Sequence, residues 1–277
     1  MSAAATTWRS RRGQALLLAG VSIAFCLLVV ALALALPEAT VSLDETRRPP
    51  SPAHLLGTDQ LGRDVAMRTV QALERSLAVG VLASSIAAVI GVSAGLLAAM
   101  AGGWVDAGVT WAVDALYSIP HLVLMILIAF ALGGGTDAVI WSVAVSHWGT
   151  MTRLMRAEAG QLRDALFVRA SVRLGRSPLW IARRHILPHL LPQFLTGLVL
   201  LFPHAILHES ALSFIGLGFS PHVPSVGVML ADAMPHLPAG AWWMMVPPGL
   251  GLLALVLAFD ALGNALRDLL SPGRSQL

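Results

Sequence analysis

The sequence predicts an all-α protein, a polytopic membrane helical bundle of about six transmembrane helices. Three observations carry that expectation. The 277 residues are 56% hydrophobic and only 12% charged, with a mean hydropathy of +0.75, whereas soluble domains carry about 25% charge. Apolar runs recur that match the roughly 20 residues needed to cross a hydrocarbon core of about 30 Å. These runs are too long and too continuously apolar for barrel strands, and backbone groups in lipid must pair within their own segment, so each run is a helix.

Taken in order, residues 1–13 are a cytoplasmic tail holding Arg9, Arg11 and Arg12, and residues 14–36 are the first span. That run is too long for the h-region of a signal peptide and is expected to be retained. Residues 37–75 form an extracytoplasmic loop. A transmembrane core over residues 76–265 contains spans at Ser76–Ala101, Leu116–Leu132, Ala138–Met155, Leu190–Leu212 and Trp243–Leu262. Its cytoplasmic loop covers residues 157–189, and residues 266–277 are a cytoplasmic tail.

Arginine placement orients the bundle. All 18 basic side chains are arginine, and basic residues gather on the cytoplasmic side of membrane proteins. Arg163, Arg169, Arg173, Arg176, Arg183 and Arg184 fall in the loop at 157–189, and Arg267 and Arg274 fall near the C-terminus. Both termini are therefore expected inside the cell. Arg47, Arg48, Arg63, Arg68 and Arg75 lie on the opposite side and count against this orientation. The membrane location explains the basic balance without a nucleic-acid partner.

Several chemistries are excluded. A Walker A loop needs a lysine to reach the terminal phosphates, and the sequence has none. No cofactor is expected on this chain. Cys26 has no second cysteine for a disulfide or a Cys-based metal site. Ser146 stands beside His147, but sequence adjacency is not a catalytic triad. Gly133–Gly135 is a turn between spans, not a nucleotide fingerprint, since no strand precedes it. A self-sufficient secondary carrier is the alternative class. It would call for internal repeats and an intramembrane ion relay, and only Glu209, Asp260 and a few histidines are available.

The segment FVRASVRLGRSPLWIARRHILPH, residues 167–189, is polar and helix-like between two apolar spans. A short amphipathic helix, a break at Gly175 and a second helix started by Pro178 make a docking shape. A basic connector held at anionic headgroups is the plainer alternative. With this segment, the chain resembles the permease subunits of bacterial ATP-binding-cassette importers for dipeptides, oligopeptides and nickel. In that family the corresponding EAA loop docks into an ATPase groove, and Ala170, Ser171, Gly175, His185, Leu187 and Pro188 match its pattern, with Arg183 and Arg184 inside it. Arg169 stands where many members carry glutamate.

Other segments match independently. HLLGTDQLGRD, residues 54–64, resembles the family's extracytoplasmic signature, which singles out Gly57, Thr58, Asp59, Gly62, Arg63 and Asp64. LSFIGLG at 212–218 and FDALGNALRDLLSP at 259–272 also match, with Asp260 and Asn264 exchanged, as a hydrogen-bonded pair would allow. Val226 replaces a tryptophan common in the family. The resemblance implies an inner-membrane subunit forming half of a translocation pathway. It further implies a homologous second permease, one or two ATPase subunits, an extracytoplasmic solute-binding protein and surrounding lipid as partners.

Histidines direct the substrate expectation. His204 and His208 are four apart, so they share a helix face about 6 Å apart along the axis. Imidazole suits Ni²⁺ and similar ions. His147, in Ser-His-Trp, and the spacing His204–His208 resemble the nickel branch, whereas Glu209 looks like the peptide branch. A tentative pathway of His147, His204, His208 and Glu209 is expected, with His204 and His208 as transient metal ligands and nickel or a chelated transition metal as the cargo. Dipeptide or oligopeptide import is the alternative. The plainer reading is that these histidines hydrogen-bond between helices, at about 0.6 kcal/mol each.

Overall fold

The computed structural model describes residues 2–270, with backbone only for residues 2–11. The end of the expected C-terminal tail, 271–277, including Arg274, lies outside the described residues. Ten helices follow one another: α1 Ser2–Ala35, α2 Val65–Ala101, α3 Gly103–Ser118, α4 His121–Ala131, α5 Gly135–Arg163, α6 Leu166–Arg173, α7 Pro178–Ile181, α8 Leu187–Phe214, α9 Val226–Ala233 and α10 Val246–Leu270. Among the described residues no strand forms beyond one isolated bridge, Thr58 to Asp64.

Four helical stretches are long and apolar enough to cross a membrane, and the pair α3–α4 makes a fifth if it is one bent span. The sixth expected span lies within α5. That helix has 29 residues, but Asp137, Arg153, Arg156, Glu158 and Arg163 make it the most polar of the long helices. Its charges are paired at one end. Arg156 makes a two-pronged bond to Asp106 of α3, with Nη2 donating at 2.7 Å, and Arg153 donates to Asp114 at 2.7 Å.

Two boundaries differ from the sequence reading. α2 starts at Val65, where Asp64 accepts a bond from the Met67 amide at 3.1 Å as its cap, so residues 65–75 are helix and not loop. The run 116–132 is not one helix: α3 and α4 meet at 95°. Pro120 disfavours helical angles in the residue before it, and Ile119 is extended, at φ −98 and ψ 136.

α2 and α5 form the most extensive helix pair. Gly91 and Gly95 make this contact possible: a Cβ on Gly91 would lie 2.8 Å from the Trp148 carbonyl, and one on Gly95 2.7 Å from that of Thr152. This is a small-xxx-small face, which lets helix backbones approach closely in a membrane. α8 and α10 pack beside α2, with Phe202, Ile206, Leu255 and Phe259 in their shared core. Val226 is wholly buried in the same cluster, so its side chain is a packing residue and not an exposed contact. Asp260 and Asn264 are both exposed, and no hydrogen bond joins them among the described residues.

Candidate functional site

The segment between α5 and α8 is a folded unit. α6 ends at Arg173, and Gly175 turns the chain with a left-handed φ of +73, a conformation that glycine adopts without steric cost. Ser177 then caps α7 through the Trp180 amide, and Pro178 occupies its first turn. A wide π turn, Ala182–Ile186, joins α7 to α8. Pro188 explains that turn, because its ring cannot sit against the carbonyl four residues earlier in a regular α-helix. His185 is held by Ser171 at 2.9 Å and lies edge-on to Phe167 and Trp180. Arg176 lies over the Trp180 ring at 4.8 Å.

What this unit leaves uncovered is apolar and basic. Leu166, Leu174 and Leu179 are largely exposed, and a cleft beside them is lined by Ser177, Leu179, Trp180, Arg183 and Arg184. Ala170 faces outward too, while Ser171 is buried. Leu187 begins α8 and is exposed, and Pro188 follows it in the first turn. Arg169 reaches Asp164 at 3.2 Å with both side chains exposed, a pairing worth little.

The segment at 37–64 is likewise ordered by its own bonds. Gly57 and Gly62 take left-handed backbones. Thr58 Oγ1 donates to the Glu45 carbonyl and accepts from the Arg48 amide. Asp59 collects four donors: the Leu61 and Arg63 amides on Oδ1, Arg63 Nε at 2.7 Å on Oδ2, and Arg68. Asp232 of α9 lies 3.7 Å from both guanidiniums. Two buried arginines thus face two carboxylates. Trp243 Nε1 donates to the Thr58 carbonyl at 3.1 Å, tying the segment to the start of α10. His54 sits between Asp64 at 2.9 Å and Glu45 at 3.1 Å, and the bond to Asp64 holds it above the ordinary histidine value.

Within the helices, His147 of α5 meets His208 of α8, and both meet His121, the first residue of α4. The three each offer a ring nitrogen, all within 4.8 Å of one another. His121 Nε2 and His147 Nε2 are 3.2 Å apart. His204 does not join them: it is exposed, with Nδ1 donating to the Leu200 carbonyl at 3.2 Å. Sequence reading missed His121, which is 26 residues from His147 in the chain. Its one signal was its place immediately after Pro120.

Glu209 is fully buried. It accepts hydroxyl bonds from Ser76 at 2.6 Å, Ser213 at 2.8 Å and Ser210 at 3.3 Å. Its carboxylate is a tie between α8 and α2, with its oxygens already taken.

The chain is a bent and tightly packed helical bundle with an exposed helical unit between α5 and α8. The profile of the family described as "Binding-protein-dependent transport system inner membrane component" matches residues 91–276, and the chain belongs to that family. It is 36% identical over 269 residues to the dipeptide transport system permease protein DppC of Bacillus subtilis, covering 96% of this chain and 84% of that one. It is 33% identical to the oligopeptide permease protein OppC of the same organism, covering 84% and 76%. The glutathione permease protein GsiD of Pectobacterium atrosepticum is 32% identical, covering 83% and 76%. Among solved structures, a chain of the inward-facing MetNI methionine ABC transporter superposes with a TM-score of 0.59 at 19% identity, covering 73% of this chain and 96% of that one. That likeness extends to the fold. The chain is thus a permease subunit of an ABC importer, an integral membrane component.

Proposed function

We propose that this chain forms half of the translocation pathway of an importer for dipeptides or oligopeptides. The observation that carries this reading is the 36% identity to a dipeptide permease along 96% of the chain. Nickel, the cargo expected from Ser-His-Trp and the spacing of His204 and His208, is not supported by the relatives named above, which are permeases for dipeptides, oligopeptides and glutathione. The separation of His204 from the other histidines also weakens the proposed ligand pair.

In this reading a homologous second permease completes the pathway, and a solute-binding protein delivers peptide to the outer face. One or two ATPase subunits, carrying ATP and Mg, engage the unit built from α6, Gly175 and α7. Its uncovered leucines and arginines have the chemistry of such a contact. Both termini lie in the cytoplasm of a bacterium, below its inner membrane. Of the five arginines that count against this orientation, Arg63 and Arg68 are buried in pairs with Asp59 and Asp232, and Arg48 lies 3.5 Å from Glu45.

The test is uptake of a labelled dipeptide and of radioactive nickel by cells that lack the native permease and carry this chain with its partner subunits. Dipeptide uptake that depends on the chain is expected. Nickel uptake without dipeptide uptake would reverse the assignment.

A further inference from the structure

We propose that His121, His147 and His208 form a binding site for one divalent first-row transition ion, held by three imidazoles with a fourth position open. The proposal concerns a site on this chain and does not depend on peptide being the cargo.

The geometry is that of a chelating set. Two imidazole nitrogens bound to one tetrahedral ion at about 2.0–2.1 Å stand about 3.3 Å apart. His121 Nε2 and His147 Nε2 are 3.2 Å apart, close to that separation and also at the upper end of hydrogen-bond distance. Their rings are at 80° with centroids 4.4 Å apart, and His208 lies 5.2 and 5.1 Å from the two. Bringing the third nitrogen from within 4.8 Å to ligand distance takes a shift of about 1.5 Å, within reach of side-chain rotation.

His147 is also oriented as a ligand. Its Nδ1 donates to the Val143 carbonyl at 2.9 Å and contacts Ser146 Oγ at 3.0 Å. That bond fixes the tautomer and leaves the Nε2 lone pair facing the other two rings. Metal-bound histidines characteristically donate their second ring N–H in this way. The competing arrangement is a chain of interhelical hydrogen bonds among imidazoles. It accounts for one contact, His121 to His147, and gives no partner for His208, which has no hydrogen bond to either ring.

Placement adds a second observation. His121 follows the 95° break between α3 and α4, and irregular backbone at membrane depth is tolerated where it is buried in protein or lines a cavity. His147 is about 18 Å along α5 from Gly135, so the ion would sit deep in the bundle. No carboxylate joins the group among the described residues. Neutral ligands leave the ion's charge uncompensated, which favours an anionic donor at the open position. Such an ion arrives either alone with a counter-ion or already bound to a peptide carboxylate and amine; the imidazole chemistry is the same.

The experiment uses the full chain purified with its co-expressed subunits and carrying no histidine tag. It is titrated with Co²⁺ alone and, separately, with Co²⁺ pre-mixed with a histidine-free dipeptide. X-ray absorption then counts imidazoles on the metal. Three imidazoles per ion and one ion per chain are expected, in the first arm for a free ion or only in the second for a peptide-borne one. His208→Ala should leave two imidazoles and weaken binding at least about 10-fold, while the exposed His222→Ala changes neither. His121→Ala, at a helix start, is the second variant should His208→Ala fail to assemble. Absence of imidazole coordination in both arms, or an unchanged count in His121→Ala and His208→Ala, overturns the proposal. Loss of peptide uptake is a separate measurement and leaves this one untouched.

Discussion

Replacing Asp59 with alanine tests whether the segment at 37–64 is a folded plug. The Asp59 side chain is 3% exposed and pairs with Arg63 and Arg68, which are 8% and 2% exposed. Removing it leaves two buried guanidiniums with a single carboxylate, Asp232, at 3.7 Å from each. Arg68 Nη2 already lacks a partner at hydrogen-bond distance. Stranding a buried charge costs about 3–5 kcal/mol. At about 2–4 °C per kcal/mol for a chain of this size, the melting midpoint should fall by about 6–20 °C. Thermal unfolding of the purified complex in detergent reads this directly. The cause is isolated by Asp59→Ala/Arg68→Met, which removes one stranded charge and should recover part of the loss. A shift below about 2 °C for Asp59→Ala, or a double variant as unstable as the sum of the singles, would refute the buried network as the source of order.

Other predictions follow from single positions. Gly175→Leu has open space for its Cβ, so its cost is the left-handed backbone, about 1–2 kcal/mol; peptide uptake should fall while normal amounts of protein reach the membrane, and full uptake would reject a docking role for this turn. Gly95→Ala meets backbone atoms of α5 at 2.7 and 2.9 Å and should lower stability by about 1–3 kcal/mol. Gly108→Ala, with nothing within 4 Å, should raise it by up to about 1 kcal/mol, and equal melting shifts for the two would contradict the packing described. His54 has a raised folded value, so its bonds stabilise fully below its unfolded value of about 6.5 and lose that contribution as pH rises through the folded value. Amide exchange in residues 45–64 should therefore show protection falling on the alkaline side, beyond its intrinsic rate dependence. His54→Gln should abolish this pH dependence.

The apolar runs made α1, α2, α8 and α10 legible because a continuous stretch of leucine, valine and alanine has few alternatives to a helix in lipid. The turn at Gly175 and the start at Pro178 were legible for a local reason, backbone angles. The first three turns of α2 were not. Arg68 and Gln71 read as loop because their burial depends on Asp59, Asp232 and the Pro37 carbonyl, the last taking a bond from Gln71 at 2.9 Å. Pro120 did announce the break in the 116–132 run, but hydropathy summed over a window hides one residue. The histidine cluster was half visible: His147 and His208 stood out singly, while His121 comes beside them only through the packing of three helices. His204 shared a helical face with His208 in projection, yet the neighbouring helices cover one turn and not the other.

The π turn at Ala182–Ile186 has a mechanical consequence. It keeps α7 and α8 in one helical run from Pro178 to Phe214, so the loop unit and the bundle interior share one helical rod, interrupted in its hydrogen bonding at Pro192 and Pro203. His208 lies 30 residues, about 45 Å, from the end of that rod at Pro178. A tilt of about 5° would carry one end about 4 Å relative to the other, at 1.5 Å of rise per residue. A displacement applied near Trp180 is therefore passed along the same helical run toward His208.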